Sequence, residues 1–234
     1  MRGSVAALSL LLACAACNQQ SAPVEELADT AEELVAATAT PVPMAAGHFA
    51  PRDTCSAVAG ANEFRAELAG AIKRRDAAAF AALAADDIKL DFGGGAGREE
   101  LRKRLDDKSW ELWPELDQLM ELGCSANKQG GITIPWYFDQ DMGRIDAVSG
   151  WLVMGERVPV YAAPDPESEE LAAISWNVVK LTTLDPERDY QSVELADKTQ
   201  GFIATDKLRS LIDYRLIASS RNGRWRVTSF VAGD

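Results

Sequence analysis

The sequence predicts an α+β protein in two parts, and three observations carry that prediction. Helical apolar periodicity runs from Asn62 to about residue 122. Short apolar segments broken by Pro, Asp and Gly fill residues 146–210. Two alternating segments then flank Asn222-Gly223 near the end of the chain. Helices followed by many short strands point to α+β rather than to an alternating α/β layout.

The first segment is a leader. Met1-Arg2 gives a basic start, Val5 to Ala16 is almost wholly small or apolar, and the run ends at Cys17 after Ala15-Ala16. It is too short to span a bilayer as a mature helix and has the layout of a secretory signal. A cysteine directly after two small residues resembles the cleavage box of bacterial lipoproteins. The resemblance implies a signal peptide over 1–16, lipidation at Cys17 and anchoring in the cell envelope. Asn18 is not the Asp expected for inner-membrane retention, so the implied place is the periplasmic face of the outer membrane. Cleavage before Cys14, or an ordinary signal cut after Ala16, are the alternatives.

Residues 17–50 hold Gln, Ser, Ala, Pro, Glu and Thr with little aromatic content, and Pro41 and Pro43 break any helix there. The expectation is a disordered tether. Past it, Phe64, Leu68 and Ile72 recur at helical spacing. Asp76 can cap a short helix carrying Phe80 and Leu83. Ile88 to Phe92 alternates like a strand and stops at Gly93-Gly94-Gly95. Leu101 and Leu105 mark a further helix, and Leu112, Leu116, Leu119 and Met120 another, with Pro114 near its start and Gly123 as its stop. The triple glycine lacks the Lys-Ser/Thr of a phosphate loop and the spacing of a dinucleotide fingerprint, so it reads as a tight turn.

Candidate strands follow at Trp151–Met154, Val158–Tyr161, Leu171–Ile174, Val178–Leu181, Tyr190–Leu195 and Gly201–Ile203. Short strands at close spacing favour a small barrel. This stretch resembles a bacterial SH3-like domain. The matching residues are Val158 to Pro164, Leu171 to Ile174, Val178 to Leu181, Tyr190 to Leu195, and Gly201-Phe202-Ile203. Tyr161 stands where that family often has Arg, Trp176 replaces a common turn Gly, and Tyr190 and Phe202 replace tryptophans. The resemblance implies an aromatic groove for an extended peptide, with Tyr161, Trp176, Tyr190 and Phe202 as its ligand-binding residues.

The terminal hairpin is signalled by Asn222-Gly223. A two-residue turn puts Tyr214, Leu216, Ala218, Trp225, Val227 and Val231 on one face. An isolated hairpin is unstable in water, so it must dock, and the strand near Ile88–Phe92 is its natural partner. The barrel at 146–210 is then an insertion in a split domain, 51–145 plus 211–234. By element order alone that split domain resembles the nuclear-transport-factor-2-like fold, a curved sheet wrapped on helices.

Composition narrows the function. A formal net charge of −12 argues against nucleic acid and against an electrostatic grip on anionic lipid. His48 is the single histidine, so a Ser-His-Asp or Cys-His site and the usual zinc ligands are disfavoured. No cofactor or metal is expected. With Cys14 and Cys17 set aside, Cys55 and Cys124 remain. In an exported chain they most simply form one disulfide, closing a loop of about 70 residues worth roughly 4 kcal/mol. The stretch Ile132–Phe138 is unusually aromatic, either core or a ligand wall. The expected role is non-catalytic: an envelope protein that binds peptidoglycan peptide or an envelope protein partner through the barrel. An isomerase or hydrolase with a pocket at Asp87, Asp91, Trp136 and Tyr137 is the enzyme alternative, and a scaffold subunit with a filled groove is the structural one.

Overall fold

Two sheets divide the strands of this protein, whose residues 46–233 are described by a computed structural model. The leader, the lipidation position Cys17 and tether residues 17–45 lie outside the described residues. At 46–50 the expected tether is already packed. Phe49 is 4 % exposed, and its N–H donates to the Trp176 carbonyl at 2.8 Å. Ala50 is buried beside it, and the Ala46 N–H donates to Glu156 at 2.7 Å, so this end of the segment is seated on the fold.

The helices are α1 (Ala61–Lys73), α2 (Ala77–Ala82), α3 (Arg98–Asp106) and α4 (Leu112–Glu121). Phe64, Leu68 and Ile72 of α1 and Leu112, Leu116 and Leu119 of α4 are buried, as their spacing predicts. Asp76 caps α2, accepting from the Ala79 N–H at 2.9 Å. Gly123 follows α4 at φ +79°, the left-handed conformation that glycine adopts at helix stops.

The first sheet has the order β1-β12-β11-β3-β2. Its strands are β1 (Ala84–Lys89), β2 (Ser125–Ala126), β3 (Ile132–Ile134), β11 (Arg215–Arg221) and β12 (Arg224–Val231). β1 runs parallel to β12, and the other pairs are antiparallel. β1 begins four residues earlier than Ile88 and ends at Lys89. Its expected continuation turns away because the Leu90 N–H donates back to Gly95 at 2.9 Å and the Asp91 carboxylate binds the glycine loop. The hairpin turn is of the expected kind, with Asn222 at φ +53° and Gly223 at φ +73°.

One inward position differs from expectation. A bulge opposite Ile217 and Ala218 shifts the register beyond Val227, so Phe230 rather than Val231 joins the helix-facing core. An extra residue in one strand moves every later side chain to the other face. That core packs α1–α4 against Ile132, Ile134, Leu216, Ala218, Trp225, Val227 and Phe230.

The second sheet takes all its strands from Gly150 to Ser210: β4 (Gly150–Val153), β5 (Val158–Tyr161), β6 (Glu170–Ile174), β7 (Val178–Thr183), β8 (Tyr190–Glu194), β9 (Gln200–Ala204) and β10 (Leu208–Ser210). Its order is β10-β4-β7-β8-β9-β5-β6, antiparallel throughout. The ladder is open, with β10 and β6 as edges among the described strands, so the strand pairing does not form the closed barrel expected from strand spacing. Val153, Val158, Val160, Val179, Leu181, Val193, Ile203 and Leu208 fill its inner side. A third cluster forms the seam between the sheets, where Phe49, Leu122, Trp136, Tyr137, Leu152, Val178 and Leu211 meet.

Candidate functional site

Strand alternation puts Val160, Val193 and Ile203 on the inner side of the second sheet, which turns their neighbours outward. Tyr161 of β5 stands opposite Phe202 of β9, and Phe202 stands opposite Ser192 of β8. Tyr190 lies two residues before Ser192 and shares its face. The Tyr161 and Tyr190 rings meet edge to face with centroids 6.1 Å apart. All three aromatics are half-buried. They make a shallow apolar strip across three adjacent strands, with the phenol hydroxyls as polar handles.

The strip has an acidic rim. The Tyr190 phenol is pushed up, first by burial and then by the negative field of its neighbours Tyr161, Asp165, Asp189 and Asp206. Arg188 pairs with Asp185 at 2.8 Å and Lys207 with Asp206 at 2.9 Å, so nearby cations are already engaged. Asp165 and Asp189 make no ion pair among the described residues, and aromatic faces beside such carboxylates suit a ligand that carries amines.

Gly201 sets the closeness of β5 and β9. A Cβ there would lie 2.6 Å from Val160 Cγ1 and 2.8 Å from the Tyr161 carbonyl. The absence of a side chain lets the inner face close while Phe202 and Tyr161 stay in register outside.

Trp176, the fourth expected groove residue, is elsewhere. It sits in the turn between β6 and β7 at φ +41°. This is the left-handed conformation a turn glycine would supply, so the residue that replaces glycine takes over its backbone role. Its N–H donates to Gly155 at 2.9 Å, its carbonyl accepts from Phe49, and its side chain packs on the seam. The structure thus brings Tyr161, Tyr190 and Phe202 together and separates Trp176 from them.

The residues of the alternative pocket are also dispersed. Asp91 is committed: Oδ1 accepts from the Gly93 and Gly95 amides at 2.8 and 2.7 Å, and Oδ2 pairs with Arg104 at 2.7 Å. Those hydrogen bonds, the Arg104 one first, hold its carboxyl below the usual carboxylate range. Asp87 is exposed and lines a cavity on the opposite face of the first sheet from the helices. Trp136 and Tyr137 are 6 % and 2 % exposed in the seam, and the Arg52 guanidinium stacks over Trp136 at 4.8 Å. The Tyr137 hydroxyl accepts from Arg209 Nε at 3.2 Å. Cys55 and Cys124 are joined in a disulfide with a Cα–Cα distance of 5.7 Å.

Sequence reasoning missed Arg209. Its side chain on β10 is 1 % exposed and reaches Glu115, Gln118, Asp213 and the Tyr214 carbonyl. Nothing in Leu208-Arg209-Ser210 marks an arginine for burial, because Glu115, Gln118 and Tyr137, which cover it, lie far off in the chain. Among the described residues, no cluster of His, Cys, Asp and Glu is arranged to hold a metal ion, and no helix is long and apolar enough to cross a membrane.

The chain matches no protein-family model, no curated protein and no solved structure.

Proposed function

We propose that this chain is a lipid-anchored protein of the bacterial cell envelope that holds an extended, amine-bearing peptide across the outer face of its second sheet. The observation that carries the reading is the shared face of Tyr161, Tyr190 and Phe202 with acidic neighbours at Asp165, Asp189 and Asp206. Stacking supplies contact area, and the carboxylates supply selectivity for cationic groups. A peptidoglycan stem peptide with a diamino acid has both the extended shape and the amine.

The envelope placement draws on the leader, on Cys17 and on a disulfide of the sort that persists in oxidising compartments. The outer-membrane, periplasm-facing assignment rests on Asn18. The strand order along 158–203 supports an SH3-like reading of the second sheet, and the helices with the terminal hairpin support a nuclear-transport-factor-2-like reading of the rest. Both are part of the proposal. The isomerase or hydrolase alternative draws less support, because Asp91 is held by Arg104 and the glycine loop, away from Asp87, Trp136 and Tyr137. The scaffold alternative draws on the filled seam around Trp176, but it leaves the half-buried strip unused.

Co-sedimentation with purified sacculi tests the proposal, using a soluble form that begins after residue 45, beside Tyr190→Ala and Phe202→Ala. Pelleting of the wild type that both substitutions abolish, and that weakens with salt, is the expected result. If nothing pellets, wall peptide is not the ligand. If the variants pellet like the wild type, the strip is not the site.

A further inference from the structure

Arginines concentrate on the other sheet, at the face turned away from the helices. Leu216, Ala218, Trp225 and Val227 of the terminal hairpin face the core. Alternation sends Ser219, Arg221, Arg224 and Arg226 the other way. Arg221 stands opposite Arg224, and Ser219 opposite Arg226. With Thr228, Ala85 and Asp87 they line a cavity of about 200 Å³.

The arrangement is costly as it stands. Like charges directly opposite each other destabilise an antiparallel pair, and Arg221 and Arg224 flank a two-residue turn that keeps them close. The chain as a whole carries a net charge of −12, so carboxylates are abundant. Even so, among the described residues none of the three arginines has a carboxylate within ion-pair distance. Arg226 Nη1 donates to the Trp225 carbonyl at 2.8 Å, which fixes its direction and leaves its other donors open. The Ser219 hydroxyl makes no side-chain bond among the described residues, whereas Thr228 spends its proton on the Ile217 carbonyl at 3.2 Å.

We propose that Arg221, Arg224, Arg226 and Ser219 form an oxyanion site on this face that takes a phosphate group. Three guanidiniums and the one carboxylate of Asp87 leave a surplus of positive charge, the complement of a phosphate group whether it is free or a diester. Guanidinium forks pair with phosphate oxygens in bidentate fashion. The phosphate can be free in solution or belong to a lipid headgroup, since the recognition chemistry is the same. The site is independent of the aromatic strip, because it shares no residue or sheet with it.

Calorimetric titration of the full chain tests the proposal, with inorganic phosphate and with short-chain phosphatidylglycerol kept below its micelle concentration. Ionic strength is held constant with chloride. The expected result is saturable binding at one site, weakened about tenfold or more by Arg224→Gln and by Arg221→Gln, and tightened by Asp87→Asn. The last variant separates ligand binding from a structural role, because removing a neighbouring negative charge strengthens only an anion site. Tighter binding of inorganic phosphate assigns the site to free phosphate; tighter binding of phosphatidylglycerol assigns it to a headgroup. No heat with either ligand, or binding that the arginine variants leave unchanged while their circular dichroism matches the wild type, overturns it.

Discussion

Arg209 Nη2 lies 2.5 Å from Glu115 Oε1, and this pair ties the edge strand β10 of the second sheet to helix α4 beneath the first. Both ends are largely out of water, at 1 % and 17 % side-chain exposure. Removing one partner strands the other. Arg209→Met should therefore lower stability by about 3 kcal/mol, measured by urea unfolding. The double variant Arg209→Met with Glu115→Leu should recover most of that loss. If the double variant is no more stable than the single one, the pair is not coupled as its geometry requires.

Burial pushes the Glu115 carboxyl up, and Arg209 pulls it part of the way back. A carboxyl raised by folding favours the folded state while protonated. That contribution is complete below the ordinary glutamate value and is lost as pH rises through the raised one. A scan of Tm against pH should show wild-type stability falling across that window relative to Glu115→Gln, which lacks the titration. Parallel curves for the two proteins would refute this.

Asp91 has the opposite sign. Its carboxyl is held low by Arg104 and by the Gly95 and Gly93 amides, so its contribution is present above the unfolded aspartate value and lost as pH falls through the depressed one. Asp91→Asn should lower Tm at neutral pH, with the gap closing in acid. Gly95→Ala should act through the same clamp, because a Cβ there would collide with the Asp91 carboxylate and the Arg104 guanidinium.

Trp176 offers a test of backbone strain against packing. A non-glycine residue at φ +41° carries a penalty of about 1 kcal/mol. Trp176→Gly relieves it and Trp176→Ala keeps it, while both lose the same seam contacts. The glycine variant should be the more stable of the two by about that amount in denaturant titrations. Equal stability would show that the turn carries no such penalty.

Gly201→Ala and Phe202→Ala should part company. The first forces Val160 and the Tyr161 carbonyl to move, so Tm and peptide binding should fall together. The second trims a half-exposed ring, so binding should fall with little change in Tm. If Gly201→Ala binds as well as the wild type, the alignment of Tyr161 with Phe202 does not matter.

Local patterns were readable where the chemistry is local. The stripe Phe64, Leu68, Ile72, the cap at Asp76 and the turn at Asn222-Gly223 each need only neighbours in sequence. Six of the seven strands of the second sheet have the expected positions, and β10 was missed because three residues give no period. What failed left no periodic signal in the sequence. β1 ends early because the chain folds back through Leu90, Asp91 and the glycine loop, Phe230 turns inward at a bulge, and Arg209 is buried against Glu115 and Tyr137. Of the four aromatics that the SH3-like resemblance singled out, Tyr161, Tyr190 and Phe202 share one face of the second sheet. Trp176 left it because the turn, and not a strand, decides where that ring points.

The entry of the chain into the fold has a mechanical side. Ahead of the disulfide, Ala46 donates to Glu156 at 2.7 Å, Phe49 to Trp176 at 2.8 Å and Thr54 to Cys124 at 2.9 Å. A pull on the chain from in front of Ala46 loads these contacts in turn and then meets the covalent link at Cys55–Cys124. From there tension passes directly to residue 124. The intervening span, with a sequence separation of 69 residues and helices α1 to α4 within it, cannot lengthen under the load.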